Sequence, residues 1–134
     1  MNCKHSIGYT LIELLIVIAV VGILSSIAFS FYGDNVIAAN RSEGRATLTQ
    51  VAASLEKCKS LYGAYNAPAC NVGSPVMSES NYYSIDTTTD RTATTFTLTA
   101  TPAGRQLGDS DCTSMTLTNI GEKDGVPAAT NECW

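Results

Sequence analysis

A single carboxylate, Glu13, stands at the head of an apolar run. From Leu14 to Phe31, 18 residues carry no charge, and only Gly22 and three serines interrupt the hydrocarbon. At 1.5 Å per residue such a helix rises about 27 Å, close to the hydrocarbon thickness of a bilayer. Insertion scales charge about 2.5–3.5 kcal/mol for an acidic group near a helix centre, so a plain anchor has no use for Glu13. A counter-charge changes the balance. A cut between Gly8 and Tyr9 creates an ammonium at Tyr9, four residues or one helical turn from Glu13. The two charges then satisfy each other within one chain or between neighbours.

Other chemistries find no constellation. The only histidine, His5, lies in the leader MNCKHSIG, so a serine triad or a Cys–His pair has no base beyond it. No CxxC or Cys/His spacing suggests zinc, and no glycine-rich phosphate loop is present. Asp109, Ser110, Asp111 and Asp124 raise calcium as a candidate, but their spacing is no EF-hand, and acidic loop residues are usually solvated. The reading is therefore non-enzymatic, with no catalytic residues, cofactor or metal. Of five cysteines, Cys3 falls in the leader; Cys58, Cys70, Cys112 and Cys133 remain and can pair completely in an oxidising space. Three pairings exist. Local closure favours Cys58–Cys70 and Cys112–Cys133 without deciding between them and the rest.

These groups need elements to hold them. An ordinary signal peptide is one account of the first segment, but the run is long and Ala28-Phe29-Ser30 matches A-x-A poorly. An uncleaved anchor is another. After residue 48, Leu48, Val51, Ala52, Leu55, Cys58 and Tyr62 recur at helical spacing, which predicts one helix from about Tyr9 to Leu61 with Gly63 as its stop. Gly22, Gly33 and Gly44 share one face at a spacing of eleven; close helix approach and accident explain this equally well. Residues 64–80 read as loop. Tyr82–Asp86, Thr94–Thr101 and Ser114–Ile120 read as strands, the last two alternating threonine with apolar residues. Gly121–Gly125 reads as a turn or loop. The fold class is α+β: a long N-terminal helix, apolar in its first half, laid on a small antiparallel sheet. The organisation is a leader at 1–8, an apolar helix at 9–32 and a polar head at 33–134.

The stretch Gly8-Tyr9-Thr10-Leu11-Ile12-Glu13, followed by LLIVIAVVGIL, resembles the class III signal of type IV pilins and pseudopilins. NRSEGRATL, TFTLTATP, TLTNIGEK and the terminal ECW resemble minor pilins of the PilE type. The resemblance implies the type IV pilin fold with a disulfide-closed C-terminal loop. It implies cleavage after Gly8 by a prepilin peptidase that also N-methylates Tyr9, and docking of Glu13 on a neighbour's amino terminus. It implies other pilins, an inner-membrane assembly platform and a Gram-negative envelope as surroundings. Two positions depart from the pattern: Tyr9 replaces the usual phenylalanine, and Ser30 the usual proline, beside which the helix often melts in pili, starting from the glycine at Gly22.

The expected function is that of a structural subunit, membrane-held and then drawn into a filament for adhesion, twitching motility or DNA uptake. A type II secretion pseudopilin is the first alternative. A DNA-binding competence pilin is the second. Nucleic acid as a partner requires an exposed basic patch. Net charge is −4, and only Arg91, Arg105 and Lys123 lie beyond the helix, so the charge count argues against it.

Overall fold

Threonine at position 10 starts the architecture. The computed structural model describes residues 9–126 and 133–134, and its helix α1 spans Leu11–Tyr62. Thr10 precedes it; the Glu13 N–H donates to Thr10 Oγ1 at 3.3 Å. Thr10-x-x-Glu13 is a capping-box sequence, and Glu13 in the first turn also suits the positive end of the helix dipole. The helix runs through position 30 without a break; serine there keeps the backbone donor that a proline ring removes. Ser25 and Ser26 donate their hydroxyls back to Val21 O and Ile23 O, each at 2.7 Å. The helix stops where glycine allows it: Gly63 has φ +80°, and its N–H donates to Lys59 O at 2.7 Å.

The chain forms two units, Met1–Val36 and Ile37–Trp134. In the first, Leu11–Ala28 has mean hydropathy 2.7 and no buried residue, length and composition enough to cross a membrane. The second contains the sheet: β1 (Val76–Met77), β2 (Tyr83–Arg91), β3 (Phe96–Pro102), β4 (Ser114–Thr118) and β5 (Lys123–Val126). They lie in sequence order, each antiparallel to the next. The three expected strands are present. β1 and β5 depart from expectation, which placed loop or turn at both.

Register explains the core. Ile85 pairs with Ala100, Ala100 with Met115 and Leu98 with Leu117, so their side chains face one way. They meet Leu48, Val51 and Leu55 of α1, all buried. Threonines 97, 99, 116 and 118 pair on the opposite face. Of the expected helix stripe, Tyr62 fails: it is exposed, the last residue of the helix. Tyr65 fills the end of the core instead, edge-on to Phe96 with ring centroids 4.9 Å apart. Gly44 shows why one member of the glycine row is glycine. A Cβ there would sit 2.5 Å from Met115 Cε and 2.9 Å from the Tyr83 ring, whereas Gly22 and Gly33 have nothing within 4 Å.

Candidate functional site

Tyr9 and Glu13 lie at the start of the apolar segment, and both Tyr9 and the residues after it are exposed. Gly8 and the rest of the leader lie outside the described residues. The capping role of Thr10, whose hydroxyl accepts the Glu13 N–H, was missed in the sequence reading, although the spacing Thr10-x-x-Glu13 announces it.

The four remaining cysteines form two bonds. Cys58 joins Cys70 with Cα atoms 5.6 Å apart, and Cys112 joins Cys133 with Cα atoms 5.4 Å apart. Cys58 approaches from the last turns of α1, and Cys70 from the loop beyond it. Cys133 lies against β5: a Cβ at Gly125 would stand 2.6 Å from its Cβ and Sγ. That contact requires a residue without a side chain in the middle of β5.

Asp109 corrects the expectation that the acidic loop residues are solvated. It is 3 % exposed and pairs with Arg41, itself 6 % exposed. Arg41 Nε and Nη2 donate to the two carboxylate oxygens at 2.7 and 2.6 Å. Burial pushes the Asp109 carboxyl up; the Arg41 hydrogen bonds and charge, with the Cys112 N–H and Gln106, outweigh it and hold the group below its ordinary value. Gln106, fully buried in the 3-10 turn Gly104–Gly108, completes the knot. Its Nε2 donates to Ile37 O, Tyr83 Oη and Asp109 Oδ2, and its Oε1 accepts from Asn40 Nδ2. No group of three or more His, Cys, Asp or Glu side chains among the described residues is placed to hold a metal.

A second cluster lies at the surface, with Lys123 exposed and Arg45 and Trp134 half-buried. Lys123 in β5 places its ammonium 4.8 Å from the centroid of the Trp134 ring. The indole Nε1 donates to Asp124 O at 2.7 Å, and the ring packs on the edge of the core. Arg45, from α1, lines the same open groove of about 570 Å³. Its guanidinium donates to Ser42 Oγ at 2.9 Å. The sequence reading named Lys123 but not its partners: nothing in the spacing of residues 45, 123 and 134 brings them together without the sheet.

Comparison with known proteins fits this layout. Residues 3–29 match the family described as the prokaryotic N-terminal methylation motif. Residues 30–116, more than half of the chain, match the family described as type IV minor pilin ComP, DNA uptake sequence receptor. Among solved structures, the non-core minor pilin PilV of Neisseria meningitidis is similar in fold, with TM-score 0.55 and 22 % identity, over 72 % of this chain and 91 % of that one. A type IV pilin from Shewanella oneidensis matches at 30 % identity and TM-score 0.48, over 73 % of this chain and 97 % of that one. An apolar helix carrying a methylation motif, a pilin head closed by Cys112–Cys133 and the family match together make this chain a pilus subunit, held in the membrane as a precursor, that belongs to the ComP family of type IV minor pilins.

Proposed function

We propose that this minor pilin serves DNA uptake, presenting a receptor surface on a filament built largely from other pilins. The supporting observation is the family match, which extends over the head and not only over the shared helix. The charge count of the whole chain weighed against nucleic acid; the clustering of Arg45 and Lys123 weakens that objection, because a local patch, not the net charge, meets a phosphate. The pseudopilin alternative has no structural observation in its favour.

The route to the filament follows from the first turn. A prepilin peptidase cuts after Gly8 and methylates Tyr9. Glu13 then pairs with the amino terminus of a neighbouring subunit at an assembly platform in the inner membrane of a Gram-negative cell. The two disulfides support this placement, since they need an oxidising space beyond that membrane. Two measurements test the whole. Deleting the gene is expected to abolish transformation while filaments persist, and unchanged transformation refutes the receptor role. Intact mass of the exported protein is expected to show loss of residues 1–8 and gain of one methyl group; a retained leader refutes the processing route.

A further inference from the structure

An open groove of about 640 Å³ lies between one flank of α1 and β1. Its floor is apolar: Val51 is buried, and Val72 and Val76 are half-buried. Two carboxylates, Glu43 and Glu79, line it, and among the described residues no lysine or arginine does. The ion pairs of the described residues all belong to Arg41, so neither carboxylate is neutralised by a cation. Burial pushes the Glu43 carboxyl up; the Ser78 hydroxyl and the Ser80 N–H outweigh it and hold the group below its ordinary value, anionic at neutral pH. A backbone edge adjoins these charges. β1 is the edge strand of the sheet. The Ser78 N–H donates to Tyr83 O at 2.9 Å, which fixes the phase of the β1–β2 ladder. Alternation then makes Met77 and Ser84 the pair without mutual hydrogen bonds, so the Met77 N–H and C=O face away from β2.

We propose that this groove takes an extended segment of a neighbouring pilin's head, which pairs with the strand edge at Met77 and presents a lysine or arginine to Glu43 and Glu79. This rests on the filament reading above. An outward N–H and C=O on one residue are matched by another extended backbone, the way a strand adds to an open sheet edge. The carboxylates set the sign of the side chain that accompanies it. Lysine and arginine suit the groove in both their parts, with the aliphatic stem on Val72 and Val76 and the charge toward Glu43 and Glu79. The same two carboxylates repel a phosphate backbone, so nucleic acid is the wrong occupant here. A two-residue edge offers few backbone bonds, and the contact is weak by itself. In a filament the neighbour is already held by its apolar helix, and a second contact then gains from a high effective concentration. Charge matching at the groove selects which neighbour is accepted there.

The test uses the full chain in cells that lack the native copy, and reads the amount recovered in sheared filaments against the amount in the membrane. Glu79→Lys reverses an exposed charge and is expected to lower that ratio about threefold. Met77→Pro removes the outward N–H while sparing the ladder, and is expected to lower it as well, with proteolysis of the head unchanged. Should that variant fail to fold, Glu79→Lys decides alone. Glu122→Lys, the same charge change on an exposed residue outside the groove, is expected to leave the ratio as it is. Gln50→p-benzoylphenylalanine places a photoreactive group in the groove and is expected to cross-link to a lysine- or arginine-containing peptide of another pilin, identified by mass spectrometry. An unchanged ratio in Glu79→Lys, an equal loss in Glu122→Lys, or a cross-link to DNA or to a protein other than a pilin overturns the assignment and leaves the filament reading standing. A wild-type chain that never travels with sheared filaments removes both together.

Discussion

The charge of Glu13 is what a substitution there tests. The bond at the start of α1 runs from its backbone N–H to Thr10 Oγ1 and survives a change of side chain. As a counter-charge for a neighbour's amine Glu13 needs its negative charge. Glu13→Ala and Glu13→Gln both remove that charge and leave the backbone bond in place. If docking is the role, both variants are processed and membrane-held, and both assemble poorly in a strain lacking the native copy. Normal piliation by Glu13→Gln refutes the docking role. Arg41 and Asp109 invite a comparable test. Asp109→Asn removes the nearer carboxylate of Arg41 and leaves Asp111 at 3.6 Å, a loss of about 1.5–3 kcal/mol, read by urea-dependent proteolysis of the head. Arg41→Met with Asp109→Leu is expected to cost less than either single change. The folded pKa of Asp109 lies below its unfolded value, so its contribution is complete above about pH 4 and is lost as the pH falls through the depressed value. Tyr65 behaves in the opposite sense. Burial and its hydrogen bond to Glu56 raise the phenol to about 12, so its contribution is complete below about pH 10 and fades as the pH climbs toward 12.

Elements were legible where periodicity was strong. The helix, its glycine stop and the threonine-alternating strands followed from residue spacing, because one face of each is buried and the pattern records it. β1 was illegible since two residues hold no period. β5 was illegible for another reason: Lys-Asp-Gly-Val has no alternation, and its glycine is set by Cys133, a neighbour distant in sequence. The knot around Asp109 was hidden in the same way, since burial of a loop carboxylate depends on Arg41, 68 residues away. The glycine row divides on the same principle. Gly44→Ala is expected to destabilise the head by about 1–2 kcal/mol despite alanine's better helix propensity, because the rigid Tyr83 ring must move. Gly33→Ala, with open space around it, is expected to leave the head's stability unchanged. Circular dichroism and proteolysis of the two variants check the contrast.

At the scale of the molecule, a small head with a thin core relies on covalent closure. The Cys112–Cys133 loop spans 21 residues, and the chain-entropy relation gives it about 3 kcal/mol. Replacing both cysteines by serine is expected to lower head stability by about that amount, seen as earlier proteolysis, while membrane insertion of the apolar helix is unaffected. Leu11–Ala28 contains no buried residue, and its apolar composition alone suits it to a membrane.

Trp134 is the sole tryptophan of the chain, and an ammonium lies over its ring. The protein therefore carries a native optical reporter at one surface locus. Its emission and quenching register events at the end of β5 and remain silent to those at the Cys58–Cys70 end of the head, without any label being introduced.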